Sequence, residues 1–189
     1  MPQPTLHSAR LTLAPLGDEH LEDEVALDAD PEVMRYLTGR ARTRDEVVAQ
    51  HAGRVERGHL VDGLGFWAGT VDGEFVGWWI LAPGTGPDGA TVRGVAELGY
   101  RVRRVWWRRG LASEGSRLLL RHGFETLGLA AVYAETMAVN VGSRAVMAAV
   151  GLRHVRTFDG GYDDPLPGAD RGEVEYRVTR EEWQAQQPL

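Results

Sequence analysis

Three groups of residues stand out by type and spacing. The first is Arg108-Arg109-Gly110, where an apolar alternating stretch ends and a helical pattern begins. The first four N–H groups of a helix have no intrahelical acceptor, and the helix dipole adds positive potential there. With two guanidinium groups and a glycine that keeps the backbone open, this is a cradle for a phosphate or pyrophosphate. An ordinary strand–turn–helix unit with solvent-facing arginines has the same spacing, so both readings stand. The second group is Asn140-Val141-Gly142-Ser143-Arg144, at the head of another helical pattern. Asn140 suits an N-cap, and Ser143 falls in the first turn. The third is Glu97, a carboxylate on the strand that leads into the arginine turn.

Other chemistries are excluded by what the 189-residue chain does not contain. There is no cysteine, so disulfides, thiolate nucleophiles and thiolate-bound metals drop out. All 21 basic residues are arginine, which removes a lysine Schiff base and a Walker-type lysine. The six histidines are scattered, with no two at ligand spacing on one predicted face, so no metal is expected. A net charge of −6 argues against nucleic acid as a partner. The first residues carry no long apolar run, so neither a signal peptide nor a membrane partner is expected, and a cytoplasmic location is the default.

The elements that must position these groups read in order as follows. Residues 11–16 alternate as a strand ended by Pro15 and Gly17. Residues 18–29 form a helix with an acidic first turn, and a short helical piece runs through Tyr36 to a break at Gly39. Residues 43–57 are a helix, with Thr43 and Glu46 at capping-box spacing. Residues 66–72 and 74–81 are strands joined by Asp72-Gly73, a hairpin signal. Residues 82–93, rich in Gly and Pro, read as a loop. Residues 95–102 are a strand and 110–126 a helix, followed by a strand at 130–137 and a helix at 140–150 with Gly151 as its C-cap residue. Strands at 152–158 and 173–179 enclose an acidic loop, and 180–183 form a terminal turn. Adjacent Trp78 and Trp79 must face opposite sides of their strand. The fold class expected is α/β with a mixed sheet, in a single domain spanning residues 1–189.

The run from Glu97 resembles the acetyl-CoA-binding core of the GNAT superfamily of N-acetyltransferases, and within it the Rim-type branch. The residues that carry this are Gly99-Tyr100, then Trp107-Arg108-Arg109-Gly110-Leu111-Ala112-Ser113-Glu114, then Asn140-x-x-Ser143-Arg144 closing at Gly151-Leu152, and the ending from Tyr176 to Trp183. Three departures are visible: Arg103-Arg104 replaces a small residue and proline, Gly115 replaces an alanine, and Met147 replaces a proton-donating tyrosine.

The resemblance implies a central mixed, mostly antiparallel sheet flanked by helices, and acetyl-CoA as co-substrate. Tyr100, Arg101 and Val102 would pair with the pantetheine arm. Trp107, Arg108, Arg109, Gly110, Leu111, Ala112 and Ser113 would hold the pyrophosphate. Asn140 would bond the pantetheine amide or the thioester region, serve as N-cap, or do both. Ser143 would touch the sulfur, Arg144 would reach phosphates or solvent, and Glu97 would be the general base or a sheet-edge carboxylate. The acceptor would be a primary amine: a peptide N-terminus, or a small amine such as an antibiotic or polyamine. A non-catalytic acyl-CoA sensor is the alternative that Met147 keeps open. Acidic residues Asp28, Asp30, Glu32, Asp159, Asp163, Asp164 and Asp170 would draw in a cationic amine. Trp106 and Trp107 would shield the turn or form a homodimer contact.

Overall fold

The computed structural model describes residues 2–86, 89–161 and 165–187. Its elements are β1 (Leu6–His7), β2 (Thr12–Pro15), α1 (Leu21–Asp28), α2 (Pro31–Met34), α3 (Arg44–Leu60), β3 (Gly65–Val71), β4 (Glu74–Thr85), β5 (Thr91–Val102), α4 (Leu111–Arg121), β6 (Ala131–Met137), α5 (Val141–Ala149), β7 (Arg153–Phe158), β8 (Glu173–Thr179) and α6 (Arg180–Ala185). The strands form one sheet in the order β1-β2-β3-β4-β5-β6-β8-β7. Every neighbouring pair is antiparallel except β5 with β6. This is the mixed, mostly antiparallel sheet expected.

Side-chain alternation assigns the two faces. Trp67 and Trp79 join the larger core with Leu98, Leu118, Leu119 and Met147, under α4 and α5. Phe66 and Trp78 point the other way into a second cluster with Leu16 and Leu27, under α1 and α3. Both tryptophans of the adjacent pair are therefore buried. Full burial of a side chain of this size contributes roughly 1.5–3 kcal/mol.

Local signals act as the sequence predicts at several ends. Asp72 and Gly73 take φ of 50° and 81°, the geometry of a two-residue hairpin turn. Thr43 and Glu46 close a reciprocal capping box. Gly151, at φ 93°, stops α5. Two stretches differ. The expected loop at 82–93 is mostly strand, because β4 runs to Thr85 and β5 starts at Thr91. The helix expected over 110–126 is α-helical to Arg121 and then a π-turn from His122 to Thr126.

Candidate active site

The site is built around a fork in the sheet. β5 and β6 are paired only at Val95–Ala131, Ala96–Val132 and Glu97–Tyr133. Beyond Glu97, β5 continues beside β4 while β6 continues beside β8. Backbone alternation shows what β5 offers to the opening. The Arg103 N–H donates to Val76 O at 2.8 Å, so the odd-numbered residues bond towards β4. Leu98, Tyr100 and Val102 then turn their N–H and C=O groups towards the gap. An amide-bearing chain laid there would meet the backbone groups of an added strand.

Arg101 is corrected by the same alternation. Its backbone faces β4, and its side chain enters the opposite face, where Nη1 donates to Asp28 Oδ1 at 2.5 Å. It belongs to the packing of α1 on the sheet and does not face the fork.

The turn after β5 is tightly held. Trp106 and Trp107 N–H groups donate to Arg103 O and Arg104 O at 2.9 and 3.1 Å. The Trp107 backbone donor is thus used inside the turn, which corrects its expected contact with a pyrophosphate. Its indole Nε1–H instead donates to Val102 O at 2.7 Å and ties the turn to the strand end. Arg109 lies over the Trp106 ring, 4.8 Å from its centroid. Arg108 and Gly110 both have positive φ, 60° and 79°. Gly110 is glycine for its left-handed backbone, since a Cβ there would meet nothing nearer than Arg10 Nη2 at 3.7 Å. The first helical bond of α4 runs from Glu114 N–H to Gly110 O at 2.9 Å. The N–H groups of Leu111, Ala112 and Ser113 precede the ladder, and with the αL bends at Arg108 and Gly110 they make a row of donors of the kind that suits an anion.

α5 closes the fork from the second side. Asn140 caps it: Oδ1 accepts from Ser143 N–H at 3.2 Å, and Nδ2 donates to Thr136 Oγ1 at 3.0 Å. Its side chain makes the cap, a reading that the sequence left open beside a contact to the pantetheine. Arg144 donates to Ala138 O at 2.9 Å and to Tyr176 Oη at 3.3 Å, so it pins α5 to the sheet and does not reach out to phosphates. Ser143 Oγ lies 3.0 Å from Tyr100 Oη, and the same phenol donates to Ser143 O at 3.0 Å. Burial, partly offset by the Ser143 hydrogen bond, pushes the Tyr100 hydroxyl up to about 12. The sequence reading gave Tyr100 a backbone part only. The signal it did not use was parity, because Leu98, Tyr100 and Val102 share the α5 face. Met147 is buried at 2% exposure.

The other face carries carboxylates. Glu97 lies opposite Tyr133, and Glu135 lies opposite Glu175, with Glu173 two residues along, so all share one face. Burial holds Glu97 above the ordinary carboxylate value, opposed by Arg57 of α3. Glu135 is raised by burial and then by the charges of Glu97, Glu175 and Glu173, while Arg156 opposes.

The acidic residues expected to attract an amine are mostly occupied elsewhere. Asp28 is fully buried among arginines, and Asp30 caps α2 and pairs with Arg104 at 3.0 Å. Glu32 faces Arg35, Asp159 accepts from Gly161 N–H, and Asp170 faces Arg171. Asp163 and Asp164 lie outside the described residues.

A forked sheet, a strand end whose even-numbered residues turn their backbone towards the opening and a row of N–H donors at the start of the following helix suit an acyl-CoA-dependent transferase. The chain matches the family described as Acetyltransferase (GNAT) domain over residues 10–153. It belongs to the GNAT acetyltransferases and is an acetyl-CoA-dependent N-acetyltransferase.

Among similar proteins is the FsC-acetyl coenzyme A-N(2)-transacetylase of Aspergillus fumigatus, 50% identical over 184 residues, covering 96% of this chain and 78% of the relative. Solved structures sharing the fold include a GCN5-related N-acetyltransferase from Brucella melitensis, with TM-score 0.78, 21% identity, and coverage of 98% of this chain and 82% of the other. They also include Mycobacterium smegmatis RimJ in complex with CoA-disulfide, with TM-score 0.77, 22% identity, and coverage of 95% and 88%. Among the described residues no helix is long and apolar enough to cross a membrane, and no group of three or more His, Asp or Glu could hold a metal ion.

Proposed function

We propose that the protein moves the acetyl group of acetyl-CoA directly to a primary amine, and that the acceptor is of the kind used by the A. fumigatus N(2)-transacetylase. The observation that carries this reading is Glu97, a half-buried carboxylate with a raised proton affinity at the last paired position before the fork. Bound acetyl-CoA supplies the activated thioester acyl group. The Val102 N–H faces the gap and is the donor for the oxygen that gains charge during attack. Glu97 takes the amine proton, directly or through one water. Ser143 Oγ–H is the donor for the departing sulfur. Without cysteine there is no thiol to carry the acetyl group in between, so both substrates are held together.

Amine chemistry supports an α-type acceptor. At pH 7 an α-amine with a pKa of ~7.7–8.0 is roughly 10–20% neutral, while a lysine amine at ~10.4 is neutral about once in 2,500. A single carboxylate base is sufficient for the first. The row Glu97, Glu135, Glu173 and Glu175 holds more negative charge than is offset by Arg156, which lies 2.6 Å from Glu175 and 3.7 Å from Glu135, and this draws the cationic form in.

The test is thiol release from acetyl-CoA over a panel holding FsC, peptides with free N-termini, polyamines and aminoglycosides. Acetylation of FsC above the other acceptors is expected. A preference for peptide N-termini would replace this acceptor by a protein. Tight acetyl-CoA binding with no acceptor turned over would leave an acyl-CoA sensor. In the same assay Glu97→Gln should lower kcat/KM by about 10²–10⁴. The base works deprotonated, so activity rises with pH through its pKa. That rise lies above 4.5 because burial raises it, and the glutamine variant should keep only the rise set by the amine itself.

A further inference from the structure

The row of donors at the start of α4 is approached from the far end of the chain. Ser8 and Arg10, between β1 and β2, touch it through several hydrogen bonds. Arg10 Nη1–H donates to Arg109 O at 3.1 Å. Arg10 Nε–H donates to Glu114 Oε2 at 2.9 Å, and Nη2–H meets the same oxygen. Ser8 Oγ–H donates to Glu114 Oε1 at 2.6 Å. These contacts link residues about a hundred positions apart onto one turn.

We infer that Arg10, oriented by Glu114 and Ser8, is a positioning residue for the phosphate half of the acetyl donor. The inference rests on the reading of residues 108–113 as the pyrophosphate site. Two arguments carry it. The first is peptide geometry. In a planar trans peptide the C=O of one residue and the N–H of the next point in opposite directions. Arg10 draws the Arg109 C=O towards itself and so turns the Gly110 N–H away, out of the chain's own surface. This bracing is needed because Arg108 holds a positive φ with a side chain, a conformation that persists only where its surroundings over-determine it. The Trp107 indole braces the turn on the strand side and Arg10 on the helix side.

The second argument is charge. Glu114 lies one turn into α4, close enough to repel an anion at the helix start. Both its oxygens are engaged, and Arg10 neutralises it. The Ser8 and Arg10 bonds hold its proton affinity down against burial, so it stays a carboxylate that needs a cation beside it. Removing Arg10 would leave the turn unbraced on its helix side and an uncompensated negative charge beside the phosphate seat.

The experiment compares two donors, acetyl-CoA and S-acetylpantetheine, which lacks the phosphates. The readout is the ratio of their kcat/KM values. Arg10→Ala should lower this ratio about tenfold, the scale of one lost charge-assisted hydrogen bond, mainly through KM for acetyl-CoA. Arg10→Lys keeps the charge but not the fork and should recover part of it. Adding Glu114→Gln to Arg10→Ala should also recover part, because the uncompensated charge is then gone. If Arg10→Ala lowers both donors equally, the residue only supports the fold and the inference fails. If it changes the kcat/KM of neither donor, the inference fails while the phosphate site stands. If the wild-type protein does not prefer acetyl-CoA over S-acetylpantetheine, the phosphate site itself is wrong and the inference goes with it.

Discussion

Tyr100 and Ser143 show how magnitudes decide between two parts a residue could play. The position that would carry a proton-donating tyrosine holds Met147, and the phenol nearest Ser143 is that of Tyr100. With its hydroxyl pushed up to about 12, Tyr100 is a poor acid towards a thiolate, whose reference pKa is ~8.5. Moving the proton would run uphill by roughly 3.5 units, about 5 kcal/mol. The phenol serves better as a fixed hydrogen-bond partner. It donates its one proton to Ser143 O and accepts from Ser143 Oγ–H, which fixes the serine rotamer. A thiolate is a tolerable leaving group near neutral pH, so a donor is sufficient and an acid is not required. Tyr100→Phe should therefore lower kcat by about 3–10-fold, the range of one neutral hydrogen bond, with little change in KM for acetyl-CoA. The effect should be non-additive with Ser143→Ala in a double-mutant cycle. Additive losses would detach the two residues. An alkaline limb below pH 10 in wild-type kcat that disappears in Tyr100→Phe would make the phenol a proton donor after all.

At the scale of elements, α4 is fitted to β4 by one glycine. Helix propensity alone says that Gly115 weakens α4 by about 1 kcal/mol relative to alanine. The structure supplies the reason for its presence. Trp79 crosses beneath the helix, its Nε1–H donates to Ala112 O at 3.2 Å, and its ring fills the space where a Cβ would stand. A Cβ at Gly115 would lie 2.4 Å from Trp79 Cε2. Trp79 is fully buried and cannot withdraw, so overpacking of about 1–3 kcal/mol outweighs the propensity gain. Gly115→Ala should lower Tm by roughly 2–6 °C for a domain of this size, and a calorimetric rise instead would show that the indole can shift. This bears on how far the sequence could be read. Helix 4 and its turn are plain in the residues, because capping and periodicity are local. The Trp79–Gly115 fit is not, because its partners are far apart in the chain. The stretch at 82–93 misled for a related reason. Pro83 and Gly84 look like breakers, yet β3 stops pairing at Gly65–Leu81, so the end of β4 is an edge next to β5 alone. An edge strand has no ladder bond to lose at a proline. The two-residue strand β1 is too short for any periodicity to mark it. Within the site, the strand–turn–helix at residues 97–121 and the capped start of α5 were legible from motif spacing, whereas the contacts of Arg101, Asn140 and Arg144 depended on which way each side chain turned.

At the scale of the whole molecule, β5 joins the two faces of the sheet, and a buried ionic network fixes what lies on one of them. Asp28, at the end of α1, accepts from Arg101 of β5 at 2.5 Å and lies 3.3 and 3.6 Å from Arg42 and Arg54. Glu24, one turn earlier, meets Arg54 at 2.6 Å and His51 at 2.5 Å. Both carboxylates are fully buried. Arg54 and Arg101 also lie over Trp78, 5.5 and 4.7 Å from its ring centroid. The network ties α1 and α3 to the same strand whose other side forms the fork, and this is where the charge on Asp28 is spent. Taking one partner from such a cluster is costly, since the remaining guanidinium groups stay buried without compensation; the scale is about 3–5 kcal/mol. Asp28→Asn should therefore lower stability in urea by that amount and shift the midpoint without a large change in slope. Removing both members of the pair should cost less than removing one, because the orphaned charge goes too. Asp28→Asn with Arg101→Met is then expected to be more stable than Asp28→Asn alone. If the double variant is the weaker of the two, Arg101 is held by Trp78 and packing, and Asp28 is not the anchor of the strand. If the single variant costs less than about 0.5 kcal/mol, as an exposed substitution does, water reaches the cluster and β5 is fixed by its strand pairing alone.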